Sequence, residues 1–143
     1  MSEISPEQFR WIEPIEVRWA DMDSFGHVNN ARYFTYCESA RMSWFGAIEL
    51  DRFKEAPEHG PALVSATCNF RQQVHHPASL DVGVRATRIG GKSFTLDYGI
   101  FLRHTGTLVA DGTSVVVWVD YSVGAAIPLP DALRERIREF DGL

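Results

Sequence analysis

The sequence is poor in cysteine and has no long apolar run. Two of its 143 residues are cysteines, Cys37 and Cys68, and neither belongs to a CxxC pair, which excludes a disulfide framework. No apolar stretch approaches the ~18 residues of a membrane-spanning helix. The N-terminal MSEISPEQFRWIEP lacks the basic and apolar regions of a secretory signal. We therefore expect a cytoplasmic protein with no membrane partner.

Positive charge is scarce as well. The chain has 14 Lys and Arg against 19 Asp and Glu, which gives a formal net charge of −5, so nucleic acid is not expected as a partner. The sequence contains no HExxH motif or other spacing typical of metal ligands, so no metal site is expected. The sequence also has no GxSxG, P-loop or GxGxxG motif, and we expect no bound cofactor.

The composition is otherwise that of an ordinary globular protein, with 45% hydrophobic and 23% charged residues. The length predicts a single domain over residues 1–143, long enough to bury one core.

A strand followed by a helix is the first recognisable pattern. PIEVRWA alternates, with Ile15, Val17 and Trp19 on one face, as a strand does. From Asn30 the apolar residues follow helical spacing to about Ile48. A second apolar flank accompanies the first, so we expect this helix to be largely buried.

Four longer strand-like runs follow, with short connectors between them. They are ALVSATCNFRQQV, SLDVGVRATRI, SFTLDYGIFLR and TLVADGTSVVVWVD. Gly90-Gly91 predicts a two-residue hairpin, and DALRERIREF predicts a short terminal helix. The simplest arrangement is an α+β fold in which about five antiparallel strands, the last four in a meander, curl around the long helix. Such a sheet leaves an edge unpaired, which predicts a partner subunit.

Polar groups are crowded into WADMDSFGHVNN, residues 19–30, between the first strand and the helix. A helix N-terminus carries unpaired N–H donors and the positive end of the helix dipole. Those donors can polarise a carbonyl oxygen while the carboxylate of Asp23 attacks the carbon or activates a water. Gly26 lets a ligand approach the backbone closely. The turn therefore predicts an acyl-transfer site.

The segment RWADMDSFGHVNNARYFTYCESAR resembles the signature of the 4-hydroxybenzoyl-CoA thioesterase family of hotdog-fold proteins. GGKSF and the later GTLVADGTSVVVWVD and IPLP also fit that family. The resemblance implies the hotdog fold, a sheet wrapped around one long central helix, and hydrolysis of an acyl-CoA thioester. It assigns the catalytic carboxylate, as nucleophile or general base, to Asp23 and the polarising backbone N–H to Asn30.

In the same family resemblance, other residues of the turn support Asp23 and Asn30. The supporting residues are Asp21, Gly26, His27 and Asn29. From the residues alone, Asp21 is mostly structural, and His27 is either a hydrogen-bonding turn residue or a general base. Glu38 is expected to pair with Arg41, Arg32 or a strand residue.

The resemblance also implies a site shared between the subunits of a homodimer, or of a homotetramer built from two dimers. Leu63, Val64 and Ser65 would line the acyl pocket next to the partner's helix start. Lys92 would hold the CoA phosphates, with Arg88 as a second candidate, because Gly90 and Gly91 replace possible arginines of related enzymes.

Two other functions remain open. One is a hydroxyacyl hydratase or dehydratase on the same fold, with His27 working beside Glu38 or Asp23. The other is a non-catalytic acyl-CoA-binding module. The position of Asp23 before Gly26-His27 favours the thioesterase. The acyl group, the choice between CoA and acyl carrier protein, and dimer versus tetramer are not determined by the sequence.

Overall fold

The computed structural model describes residues 3–143. The chain forms, in order, β1 (Trp11–Glu16), α1 (Asn30–Ala47), β2 (His59–Phe70), β3 (Ser79–Ile89), β4 (Ser93–Leu102), β5 (Leu108–Asp120), the short β6 (Ala125–Ala126) and α2 (Asp131–Asp141). Turns of 3-10 helix occur at Pro6–Gln8, Trp19–Asp21 and Leu50–Phe53. No helix among residues 3–143 is long and apolar enough to cross a membrane.

All the strands belong to one antiparallel sheet in the order β1-β3-β4-β5-β2, and β6 pairs with β5. The sheet curls around α1, which contacts β1, β2 and β3. The predicted α+β hotdog architecture is confirmed.

The predicted four-strand meander is wrong for β2. Only β3, β4 and β5 follow one another across the sheet, whereas β2 pairs with β5, from His59 opposite Asp120 to Phe70 opposite Ala110. Residues 71–78 are therefore a crossover between distant strands. Val74, predicted to continue the strand, lies in this loop, where its carbonyl accepts a hydrogen bond from the Val28 amide at 2.8 Å.

β1 ends earlier than the alternation of apolar residues up to Trp19 predicts. The strand stops at Glu16, and Trp19 lies in the following 3-10 turn with 78% of its surface exposed. Val17 is buried as expected. A large aromatic residue is thus left in solvent directly before the polar turn.

The helix α1 is capped by Asn29, whose Oδ1 accepts a hydrogen bond from the Ala31 amide at 2.9 Å. One face of α1 fills the core, with buried side chains Tyr33, Tyr36, Cys37, Ala40, Arg41 and Trp44. Burying each large apolar side chain contributes about 1.5–3 kcal/mol. The second flank is not covered in this chain: Met42 is 60% and Phe34 39% exposed. The helix is therefore buried on one side only.

Candidate active site

The polar turn is closed by backbone hydrogen bonds. Met22 and Val28 form an antiparallel bridge, the Asp23 amide donates to the His27 carbonyl at 3.1 Å, and the Gly26 amide donates to the Asp23 carbonyl at 3.1 Å. Gly26 has φ +88°, a conformation that strains any residue with a Cβ. The turn thus holds Asp23 beside the start of α1.

Asp21 anchors this turn to the helix. Its side chain is 1% exposed, and its carboxylate accepts hydrogen bonds from the Tyr36 hydroxyl at 2.7 Å and from the Arg18 amide and guanidinium at 3.0 and 2.8 Å. Burial acts to raise the pKa of Asp21, but the hydrogen bonds from Arg18 and Tyr36 outweigh it, so the pKa lies below its ordinary value of 3.8. Asp21 is positioned for a structural role under the turn.

The depressed pKa of Asp21 predicts an acid-sensitive contribution to stability. Asp21→Asn should lower the free energy of unfolding by about 2 kcal/mol at neutral pH, because it removes the charge of a buried carboxylate that accepts hydrogen bonds from Tyr36 and Arg18. A carboxyl whose folded pKa is depressed stabilises fully above its ordinary value of 3.8, and loses that stabilisation as pH falls through the lower folded pKa. Urea unfolding at neutral pH and at about pH 3 measures this difference. With Asp131→Asn as an exposed control, a deficit that is equal at both pH values would contradict this role.

Asp23 and Asn30 line the same cavity. Its volume is about 330 Å³, and it is lined by Asp23, His27, Val28, Asn30, Tyr33, Phe70, Arg71, Gln72 and Gln73. The Oδ1 of Asp23 accepts a hydrogen bond from the Phe25 amide at 2.9 Å, which fixes the side chain and leaves Oδ2 available. The cavity therefore joins a carboxylate oxygen to the first residue of α1.

The amide of Asn30 is the free donor at this helix start. The Ala31 amide is taken by the Asn29 side chain, and the Arg32 amide donates to the Asn29 carbonyl at 2.9 Å. Among residues 3–143, none accepts a hydrogen bond from the Asn30 amide. An unpaired N–H at a helix N-terminus, on a small cavity that a carboxylate also lines, is suited to bind a carbonyl oxygen that becomes negative.

His27 lines the same cavity, with its ring edge-on to His75 at 6.2 Å between centroids. The Nδ1 of His75 lies 2.7 Å from the Gly26 carbonyl oxygen. His27 thus helps to pack the turn, and its ring is also within the cavity, so the geometry accommodates both roles considered for it.

Phe70, Arg71, Gln72 and Gln73 form the opposite wall, which sequence reasoning missed. Phe70 packs edge-on against Tyr33 with 5.3 Å between ring centroids. The Arg71 side chain is half exposed and forms an ion pair with Asp111. The alternating pattern assigned these residues to a strand, and the crossover after Phe70 has no local sequence signal.

The remaining predicted site residues lie at the other end of the sheet. Leu63, Val64 and Ser65 are on β2, where a bulge between Leu63 and Ser65 leaves Val64 60% exposed. Along the strand, Ser65 lies about 17 Å and Leu63 about 23 Å from Phe70, at about 3.3 Å per residue. The three predicted acyl-pocket residues are therefore not brought to the Asp23 cavity of their own chain.

Lys92 and Arg88 also lie at that distant end. The Lys92 carbonyl accepts the Trp118 amide at 2.8 Å, and Trp118 pairs with Pro61 near the start of β2. Both cations are exposed. We call this region, residues 59–63 with the β3–β4 hairpin, the hairpin end, and the region around Phe70 the Asp23 end.

A larger groove lies at the hairpin end, between the second half of α1 and β2. Its volume is about 680 Å³, and its lining includes Arg41, Met42, Phe45, Leu50, Leu63 and Val116. A smaller groove of about 180 Å³ adjoins it and shares Arg41 and Leu63. Of the three predicted acyl-pocket residues, Leu63 thus lines a groove of its own chain.

Both cysteines are unsuited to nucleophilic catalysis. Burial raises the pKa of the Cys37 thiol to about 12 and that of Cys68 to about 11, so neither forms a thiolate near neutral pH.

The expected ion pair of Glu38 is absent within residues 3–143: Glu38 is exposed, and Arg32 lies 3.7 Å from Asp21 instead.

One group of side chains in the described part of the chain has metal-ligand geometry. Ligand atoms of Glu58, His59 and Asp120 lie within 4.8 Å of one another, and the His59 Nε2 is 3.6 Å from Asp120 Oδ2. A metal on Nε2 would leave the buried Nδ1 of His59 as a donor without an acceptor, whereas metal-binding histidines normally donate from the second nitrogen. The cluster lies outside the Asp23 cavity and does not fit a metal well.

Comparisons with known proteins identify the family of this chain. Residues 17–137 match the thioesterase-like superfamily. The long-chain acyl-CoA thioesterase FadM of Escherichia coli K12 is 32% identical over 128 residues, which cover 88% of this chain and 96% of FadM. A thioesterase from Thermus thermophilus, solved with coenzyme A and Zn, has a TM-score of 0.81 at 30% identity and covers 96% of this chain and 98% of its own. The PA2801 protein of Pseudomonas aeruginosa has a TM-score of 0.80 at 34% identity, with 90% and 98% covered. The chain therefore belongs to the thioesterase-like superfamily and is a hotdog-fold thioester hydrolase.

Proposed function

We propose that the protein hydrolyses acyl-CoA thioesters to the free acid and CoA, with Asp23 as the catalytic carboxylate and the Asn30 amide as the oxyanion donor. The observation that carries this proposal is the shared cavity, which is lined both by Asp23, with one carboxylate oxygen free of hydrogen bonds within residues 3–143, and by Asn30, whose helix-start amide is unpaired there. The similarity to FadM, whose substrates are long-chain acyl-CoA thioesters, supports the substrate class.

Two routes satisfy the chemistry of this cavity. As a general base, Asp23 takes a proton from a water while the oxygen of that water adds to the carbonyl carbon. The tetrahedral intermediate then collapses, the C–S bond breaks, and the departing sulfur receives the proton held by Asp23. As a nucleophile, Asp23 adds to the carbon and expels the thiolate, and water then hydrolyses the mixed anhydride. In both routes the Asn30 amide binds the oxygen that becomes negative, a contribution of roughly 10²–10³-fold.

We further propose that the site is completed by a second copy of the chain. β2 pairs only with β5, so its other edge, 12 residues long, has no partner within residues 3–143. Leu63 and Phe70 on this strand are each 47% exposed. Antiparallel pairing of two β2 edges about an axis near Ala66 and Thr67 would set Phe70 opposite the partner's Leu63 and cover both apolar side chains.

This pairing would join the two halves of the predicted site. The Asp23 end of one chain would lie beside the hairpin end of the other, because antiparallel strands reverse direction. Leu63, Val64 and Ser65 of the partner subunit would then extend the Asp23 cavity as an acyl pocket. Lys92 and Arg88 of the partner subunit would lie on the same side for the CoA phosphates.

Lys92→Ala should raise the KM for acyl-CoA about threefold to tenfold and barely change kcat. A surface Lys–phosphate contact is a screened interaction worth about 1 kcal/mol, and it is lost equally from ground and transition states. Steady-state kinetics over a salt series should show the effect shrinking as salt rises. A substrate truncated to a short thiol should show no effect.

Arg138→Ala, an exposed cation on α2, is the matched control and should leave the KM unchanged. Equal damage by Lys92→Ala to the full and the truncated substrate would remove Lys92 from CoA binding.

A hydrolysis screen tests the function itself. Released thiol would be measured for acyl-CoA thioesters of different lengths and for aromatic ones, beside hydration of an enoyl-CoA. Thiol release with no hydration supports the thioesterase. Hydration without thiol release would favour the hydratase, and binding without turnover would favour a non-catalytic module.

A further inference from the structure

Arg41 is a buried cation without a counter-ion. It is 7% exposed, and its Nη1 donates to the Tyr98 hydroxyl at 3.1 Å, which in turn is 2.7 Å from the Ser114 hydroxyl. Among residues 3–143, no carboxylate lies within ion-pair distance of its guanidinium, although ten ion pairs are found elsewhere. A guanidinium stays charged at any physiological pH, so a buried one requires an acceptor to offset its lost hydration.

Arg41 borders the two grooves between α1 and β2. Arg41 lines both the cavity of about 680 Å³ and the adjoining one of about 180 Å³. Apart from the bond to Tyr98, its N–H groups have no acceptor in the described part of the chain. These donors are therefore available to a molecule that enters the grooves.

The larger groove is apolar inside and charged at its mouth. Its walls include Met42, Phe45, Leu50, Leu63 and Val116. The charges at the mouth already neutralise one another: Arg52 is 2.7 Å from Glu49 and Lys54 is 3.0 Å from Asp51. Arg41 is thus the unneutralised charge of the groove, which otherwise suits a hydrocarbon chain.

We propose that this groove takes the acyl group of the substrate held at the partner's Asp23, and that Arg41 binds a carboxylate at the far end of that acyl group. The substrate class is then the CoA monothioesters of dicarboxylic acids, a specificity that rests on the proposed shared site. A planar guanidinium matches a carboxylate with two parallel hydrogen bonds. A methyl-ended acyl group would occupy the same apolar walls and leave Arg41 without an acceptor.

Glu38 is the competing partner within the chain. It lies three residues before Arg41 on α1 and lines the smaller groove with it, and it is exposed. If Glu38 neutralised Arg41 in solution, the guanidinium would not select a substrate. The test therefore includes Glu38→Gln.

Matched thioesters of equal length, one ending in carboxylate and one in methyl, give the decisive comparison. Wild-type kcat/KM should favour the carboxylate-ended substrate by about tenfold to a hundredfold, the range expected for charged hydrogen bonds. Arg41→Met should abolish that preference while still hydrolysing the methyl-ended substrate, and Glu38→Gln should retain it. Arg41→Met should also fold as stably as wild type, since replacing an unpaired buried charge with an apolar side chain of similar volume is neutral or stabilising.

A second variant and a binding measurement keep the proposal testable if Arg41→Met fails to fold. Tyr98→Phe removes the hydroxyl that orients the guanidinium and should reduce the preference. Calorimetry should detect a free dicarboxylate binding to the wild-type protein and not the uncharged diamide of the same length. Equal kcat/KM for the two thioesters, or a preference that survives in both the Arg41 and Tyr98 variants, would overturn the assignment. Failure to hydrolyse either thioester would instead count against the proposed function, while the calorimetric comparison would still decide the role of Arg41.

Discussion

Asp23→Asn should lower kcat for acyl-CoA hydrolysis by about 10²–10⁴-fold and leave the fold intact. The substitution keeps the shape and the hydrogen bond from the Phe25 amide to the side-chain oxygen, but removes the charge that attacks the carbonyl carbon or takes a proton from water. The measurement is thiol release at saturating substrate, with an unfolding curve for each protein to compare stability.

Ser24→Ala is the matched control for this experiment. Ser24 is exposed in the same turn, and its side chain does not line the Asp23 cavity, so its loss should leave kcat unchanged. Retention of more than about a tenth of wild-type kcat by Asp23→Asn would remove Asp23 from the chemistry.

Ala66→Asp should separate the subunits and abolish hydrolysis. The proposed axis passes near Ala66, so the substitution sets two carboxylates close together across the interface, a repulsion that costs several kcal/mol. Ala66 is exposed at the free edge of the sheet, and the isolated chain should therefore fold normally. Sedimentation velocity at assay concentration and thiol release together measure the effect.

Ala66→Ser keeps the position small and uncharged and should remain an active dimer. A protein that is monomeric at assay concentration and fully active, whether wild type or Ala66→Asp, would rule out a site shared between subunits.

The helix and its polar turn were predictable because their signals are local. The period of the apolar residues predicts α1 from Asn30 to about Ile48, and the helix ends at Ala47. Asn29 caps the helix because its short side chain can accept a backbone N–H, and Gly26 adopts a positive φ because it has no Cβ. Both properties can be read from the residue types in a short segment. The closeness of Asp23 to the start of α1 follows from these local features, whereas the opposite wall of their cavity does not.

The position of β2 could not be predicted in the same way. Alternation indicates a strand but does not identify its neighbour, and the short connector to β3 favoured a hairpin that does not exist. The true pairing with β5 sets Phe70 beside Asp23 and leaves Leu63 about 23 Å from Phe70 along the strand, at about 3.3 Å per residue. The isolation of Arg41 is also a tertiary property, because Glu38, one of the partners expected for it, is exposed and forms no ion pair with it, and no other carboxylate in the described part of the chain does so.

Mixing two inactive variants tests the shared site most directly. Asp23→Asn lacks the carboxylate, and Leu63→Trp fills the groove at the other end of the sheet without adding charge. In a mixed dimer, one site carries both defects and the other carries neither. After random exchange of subunits in equal amounts, half the dimers are mixed, and thiol release should recover to about a quarter of the wild-type rate. No recovery, although mass spectrometry shows mixed dimers, would mean that each site is built from a single chain and would contradict the account.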